Sequence, residues 1–260
     1  MFSEQLELQK EGAQILGKVH GLVSQMMQPG VRTMQLDALA QQFITDHGAV
    51  PSFLGYRGSA PTAFPGALCI SVNEVVVHGI PGNYLLKDGD IVSVDCGVYH
   101  RGFHTDSAYT YTVGEVAPQV LNLLRHTLQS LHLGIAQAKV GNRVGDISYA
   151  IQSYTESRGY GVVRELVGHG VGAHLHEKPE VPNYGQRGRG PRLAEGMVLA
   201  IEPMITLGRR SVVQEKDGWT IRTADKKAAA HFEHSVAVMP GEPEVITTFE
   251  YIDRKFHYLS

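Results

Sequence analysis

Cysteine is scarce in this chain: Cys69 and Cys96 are the only two in 260 residues. They form no CxxC pair, and a chain of this length needs no disulfide to hold its core. Long hydrophobic runs are absent as well. None reaches the ~20 residues of a membrane-spanning helix. The opening stretch, Met1 to Lys10, is acidic and polar, unlike a secretory signal. Excess charge is lacking too. A net charge of −3 gives no general attraction to nucleic acid or to anionic membrane. There is no short-period repeat and no low-complexity segment beyond the Arg/Gly loop Gln186–Arg192, read as solvated, with a ribosome or RNA contact as the other reading. These absences lead us to expect a cytoplasmic protein with no membrane partner and no specific nucleic-acid partner; a monomer is expected as well.

What is present suffices for one large globular unit, since 43% of the residues are hydrophobic. Ile15, Leu16, Val19, Leu22, Val23, Met26 and Met27 recur at helical spacing, and Pro29-Gly30 stops them. Thr33 reads as the N-cap of a second helix carrying Leu36, Leu39, Ala40 and Phe43 on one face. Pro51 to Gly66 reads as a loop. Short β-branched runs follow at 68–72, 74–77, 91–98 and 103–113, then helices at about 119–138 and 144–158. Strand-like runs return at 197–207, 211–215, 219–223, 231–239 and 244–249, with Asp217-Gly218 as a hairpin signal. Hairpins dominate over βαβ units, so the fold class is α+β, and no linker separates two domains. The reading is one domain over 1–260, with the helices of 1–50 belonging to it.

The chemistry concentrates in carboxylates on apolar strands. Asp95 and Asp106 stand on the two arms of one hairpin. If the turn centres between His100 and Arg101, the two acids oppose each other directly, with Cβ atoms about 4.5–5.5 Å apart. A bulge at Gly102 would shift that register. Glu202 ends the apolar run Met197–Ile201 and is held extended by Pro203. Glu233 lies in the apolar run His231–Val238, and His169 lies between Gly168 and Gly170. Taken singly, each has an ordinary explanation: an exposed strand acid, a partner for an arginine, a hydrogen-bonded turn histidine. Together, four carboxylates and one imidazole make an oxygen-rich donor set that two divalent cations would neutralise. Its softness suits Mn, Fe or Co, with Zn also allowed, and the lack of thiolate argues against a structural zinc site.

The blocks Cys69–Pro81, Lys87–Asp95, Gly102–Asp106, Gly168–Gly172, Ile201–Pro203 and Phe232–His234 resemble the type I methionine aminopeptidases, and the likeness runs over nearly the whole chain. The resemblance implies a pita-bread fold, two pseudo-symmetric halves around a curved antiparallel sheet with flanking helices. It implies five metal ligands, Asp95, Asp106, His169, Glu202 and Glu233, holding two divalent ions, with Asp106 and Glu233 bridging. It implies catalytic roles for His78, His176 and Glu202, with metal-activated water attacking the scissile carbonyl. By the same resemblance, His78, His176, Tyr56, Phe64, Cys69, Leu175 and Trp219 contact substrate, with Phe53 nearby. His174 competes with His176 for the catalytic role. The substrates would be nascent polypeptide N-termini carrying the initiator methionine, with a small second residue preferred. Arg57, Leu175 and the long stretch from Gly58 to Phe64 depart from the family pattern at the pocket rim. Two rivals remain: an X-Pro aminopeptidase or prolidase, and a non-catalytic binding protein on the same fold.

Overall fold

The apolar stripes of the sequence become helices in the computed structural model, which describes residues 2–58 and 60–259. Ser59, inside the stretch read as an extended loop, lies outside them. Helices α1 (Phe2–Met26) and α2 (Thr33–Asp46) form the first layer. Leu16, Val19 and Val23 of α1 are fully buried. Each such side chain contributes about 1.5–3 kcal/mol relative to exposure. The residue in the N-cap position of α2 is Arg32 rather than Thr33. The Arg32 amide donates to Gln35 Oε1, whereas the Thr33 hydroxyl both donates to the Gly82 carbonyl and accepts from its amide. Thr33 is therefore spent on tethering the helix to the chain beyond residue 80, which is why its local capping signal misleads.

The strands are β1 (Val50–Pro51), β2 (Leu68–Val72), β3 (Val75–Val77), β4 (Ile91–His100) and β5 (Phe103–Thr112). Helices α3 (Pro118–Ile135) and α4 (Val144–Glu156) follow. Then come β6 (Gly161–Val162), β7 (Val167–Gly170), β8 (Glu177–Pro182), β9 (Val198–Ile201), β10 (Met204–Thr206), β11 (Val212–Gln214), β12 (Ile221–Thr223), β13 (Ala229–His231), β14 (His234–Ala237) and β15 (Glu244–Val245). One sheet runs β1-β4-β2 with β5 on β4, another β15-β14-β9-β7-β8, and two three-stranded sheets run β13-β10-β6 and β11-β12-β3. All pairings between strands are antiparallel.

The β4–β5 hairpin turns on Arg101 and Gly102, both at positive φ (47° and 101°). Two left-handed residues close a two-residue hairpin without splaying the strands. The register is thereby fixed: His100 faces Phe103, Gly97 faces Asp106 and Asp95 faces Ala108. The direct opposition of Asp95 and Asp106 expected from the sequence is therefore corrected. The tight turn sits one residue later than assumed, so every pairing moves by two. Parity is preserved, and the two acids remain on one face as diagonal neighbours.

Between β5 and the 231–235 segment runs a stitched seam. Asp106 exchanges bonds through its amide and carbonyl with the Ser235 hydroxyl, at 3.0 and 2.8 Å. The Glu233 amide donates to the Ala108 carbonyl, and the His231 amide donates to Thr110 Oγ1. This seam brings acids from distant parts of the chain to one depth.

The connection that carries Asp217-Gly218 is wider than a two-residue hairpin. Strands β11 and β12 pair, but residues 215–220 form the turn, in which Asp217 Oδ1 accepts from the Trp219 and Thr220 amides. The Arg/Gly loop, from 186 to 192, is exposed as expected, and Arg187 lies 4.7 Å over the Tyr149 ring of α4.

Candidate metal centre and substrate cavity

A cavity of about 150 Å³ opens where β4, β5, β7 and the ends of β9 and β13 meet. Its polar wall comprises Asp95, Asp106, His169, Glu202, Glu233, His78 and His176. Asp106 and Glu233 are buried at 3% and 2% exposure, and His169 at 8%. His169 Nε2 lies 3.7 Å from Glu202 Oε1. Donor atoms of Asp106, His169 and Glu233 all lie within 4.8 Å of one another. The structure thus brings together all five residues that the sequence singled out as a donor set.

Local backbone explains the aim of each. Glu202 sits in the two-residue break between β9 and β10, its carbonyl accepting from Asn183 Nδ2, so its side chain leaves the strand alternation. His169 occupies a register irregularity of β7, with its Nδ1 2.9 Å from the Gly170 carbonyl. The flanking glycines are required by close approach. A Cβ on Gly168 would meet the Ala200 carbonyl oxygen at 2.4 Å. His78 follows β3 with φ at 59°, a conformation that a residue with a Cβ adopts at some cost and that clusters at functional sites.

The electrostatics follow from burial. Burial pushes the Asp95 carboxyl up to about 7 and Glu202 up to about 8. Asp106 and Glu233 are driven well above the usual carboxylate range, by burial first and by the neighbouring acids second. Burial lowers His169 to about 3 and His78 to about 4, so both imidazoles are neutral at neutral pH. A neutral imidazole is the form that ligates a cation.

The donors fit a divalent cation. Asp95 Oδ1, Asp106 Oδ1 and Glu233 Oε1 are buried with no hydrogen-bond partner among the described residues. A buried polar atom without a partner costs about 1–3 kcal/mol. Three such carboxylates, with Glu202 beside them, are stable as anions only with positive charge between them.

The apolar wall gathers Phe53, Phe64, Cys69, Leu175 and Trp219 in one buried cluster, with Tyr56 packed against it. Phe53, Tyr56, Phe64, Cys69 and Trp219 reach the cavity, whereas Leu175 packs in the cluster without lining the cavity. Val77, Leu166, Val167 and Met204 complete the wall. Trp219 is anchored by its indole N–H, which donates to the Thr62 carbonyl at 3.1 Å. Tyr56 places its hydroxyl 2.7 Å from His176 Nδ1. His174 is exposed, its amide donating to Glu177 Oε1, and it does not line the cavity.

One residue escaped the sequence reading. His231, 1% exposed, puts Nε2 3.3 Å from Glu202 Oε2 and 4.0 Å from Glu233 Oε2. With Glu202 and Glu233 it forms a second cluster whose donor atoms lie within 4.8 Å of one another. Its signal was present in His231-Phe-Glu-His-Ser, where residues 231 and 233 share a strand parity.

Residues 7–240 match the family model described as metallopeptidase family M24. A methionine aminopeptidase from Clostridium perfringens is 51% identical over 243 residues, spanning 94% of this chain and 96% of that protein. The crystal structure of a methionine aminopeptidase from Thermotoga maritima matches with a TM-score of 0.91 at 39% identity, covering 94% of this chain and 97% of that one. An Xaa-Pro dipeptidase from Bacillus anthracis matches with a TM-score of 0.74 at 20% identity, covering 94% of this chain but 61% of its own, which is a likeness of fold. This chain belongs to metallopeptidase family M24, and within it to the methionine aminopeptidases. Its helices and antiparallel sheets are the pita-bread fold.

Proposed function

We propose that the protein is a metal-dependent aminopeptidase that removes the initiator methionine from peptides and nascent proteins with a small second residue. The observation that carries this reading is the convergence of four carboxylates and His169 on a cavity whose other wall is apolar. The high identity to methionine aminopeptidases supports it. Asp95, Asp106, His169, Glu202 and Glu233 would hold two divalent ions, Co, Mn, Fe or Zn. When bound, these ions would supply Lewis-acid polarisation of the scissile carbonyl and acidify water.

The remaining steps belong to the chain itself. Glu202 accepts the proton of the attacking water at a carboxylate oxygen and passes it to the leaving amine. His176 donates a hydrogen bond to the oxygen on which negative charge develops. His78 faces the nitrogen side of the scissile amide. Phe53, Tyr56, Phe64, Cys69 and Trp219 take the thioether side chain and exclude water. A cavity near 150 Å³ admits about one benzene-sized group, which suits a single unbranched side chain.

The proposal extends to one catalytic unit over the whole chain, working as a monomer in the cytoplasm on chains emerging from the ribosome. No described helix is long and apolar enough to cross a membrane. The test is turnover of Met-X-Ser peptides by metal-reconstituted protein, with X varied from Gly to Leu and Arg. Preference for Gly and Ala at X is expected. Release of residues only ahead of proline would move the reading to an X-Pro aminopeptidase, and a metal-free, inactive protein would move it to a binding protein.

A further inference from the structure

Tyr56 does more than pack. Its backbone is pinned on both sides: its amide donates to the Phe53 carbonyl, and its carbonyl accepts from Phe64 at 2.7 Å. The ring lies 5.1 Å from the His176 ring and 6.5 Å from that of Trp219. From this fixed base the hydroxyl reaches His176 Nδ1 at 2.7 Å, a full-strength hydrogen bond. His176 lies in the irregular chain between β7 and β8, its ring edge-on to that of His169 at 4.3 Å.

A neutral imidazole carries one proton on its two nitrogens, and the partner of one nitrogen decides the state of the other. With Nδ1 engaged by the phenol, Nε2 is the nitrogen left for the cavity. Were Nδ1 the protonated atom, Nε2 would turn a lone pair toward a cavity lined by Asp95, Asp106, Glu202 and Glu233. A phenol that donates to Nδ1 instead leaves the proton on Nε2, where it can be donated.

We propose that Tyr56 is a positioning residue: its hydroxyl holds His176 in the Nε2–H tautomer, the form able to donate to the developing oxyanion. The proposal rests on the reading of His176 as that donor. Tyr56 then links the substrate pocket to the reacting atoms, because the ring that lines the pocket also sets the proton of His176.

The test uses zinc-loaded, diamagnetic protein with ¹⁵N-labelled histidine. Long-range ¹H–¹⁵N correlation reads the tautomer of His176, assigned through its loss in His176→Gln. In the unaltered protein Nε2 should be the protonated nitrogen. In Tyr56→Phe, which keeps the ring and the apolar wall, that signature should give way to a mixture of tautomers. The kcat on Met-Ala-Ser should fall roughly fivefold to tenfold, the worth of about one neutral hydrogen bond, with KM changed less than about threefold. The proposal needs both changes. A protonated Nδ1 in the unaltered protein, an unchanged tautomer in Tyr56→Phe, or an unchanged kcat in Tyr56→Phe would each overturn it. Full turnover by His176→Gln would instead refute the donor role of His176 and leave the tautomer measurement standing.

Discussion

His231 Nε2 lies 3.3 Å from Oε2 of Glu202, on the side away from the Oε1 that faces His169. The Glu202 carboxylate is thus flanked by an imidazole at each oxygen. His231 Nε2, buried and without a hydrogen-bond partner among the described residues, faces one oxygen at ion-pair distance and leaves the other for chemistry. His231→Leu is expected to lower kcat by about tenfold, equivalent to about 1.4 kcal/mol of transition-state stabilisation. His231→Gln keeps a donor and should lose less. Steady-state kinetics with thermal melts check this, and equal kcat in both variants and the unaltered protein would remove His231 from the account.

Asp106→Asn and Glu233→Gln should separate metal binding from stability. Each removes an anionic donor and substitutes a neutral isostere at a site under 5% exposed. Metal content measured by elemental analysis should drop in both variants. The chelator-treated variants should melt no lower than chelator-treated unaltered protein, because a neutral amide carries none of the cost of ionising a buried carboxyl. Unchanged metal content would contradict the assignment of these two residues.

The pH dependence of the metal-free protein has a definite sign. Burial raises Asp95 to about 7 and Glu202 to about 8, above ordinary unfolded values of about 3.9 and 4.3. A group raised on folding stabilises the fold below its unfolded pKa and loses that contribution as pH rises through the folded one. The buried histidines work the other way, since burial lowers His78 and His20 to about 4. Their contribution is complete above the unfolded value of about 6.5. From pH 7 to 9 the carboxyls therefore decide, and the chelated protein should lose stability as pH rises. Divalent cation should reverse the loss. Denaturant melts at several pH values check this, and a chelated protein that gains stability from pH 7 to 9 would contradict it.

Gly168→Ala should disturb His169 through the backbone. The added Cβ would stand 2.4 Å from the Ala200 carbonyl, so β7 must move away from β9. Overpacking of this kind costs about 1–3 kcal/mol. Metal affinity, followed by calorimetry, should fall with it. Gly82→Ala, where a Cβ meets nothing within 4 Å and φ is not left-handed, serves as the comparison for affinity.

Much of the site was legible because acids in apolar strands are anomalies that demand a partner. Asp95, Asp106, Glu202 and Glu233 stood out on that ground, and the two glycines marked His169. Helices α1 to α3 were legible from their stripes. The hairpin register was not, because it depends on which two residues adopt positive φ, and arginine at 101 gives little local sign of doing so. The Thr33 cap misled because a tertiary contact with Gly82 claimed the hydroxyl. Strands β7 and β8 were missed: glycines and prolines at Gly168, Gly170, Pro179 and Pro182 mask the alternation. His231 was missed because its role depends on Glu202, 29 residues away in sequence and brought near by the pairing of β10 with β13.

This donor set is expected to bind divalent cations and so to enable removal of an N-terminal methionine. The most direct test is stepwise return of manganese or cobalt to chelator-treated protein, with Met-Ala-Ser turnover measured at each addition. No turnover without cation, a rise in step with binding, and saturation by two equivalents are expected. Full turnover by the cation-free protein would contradict this.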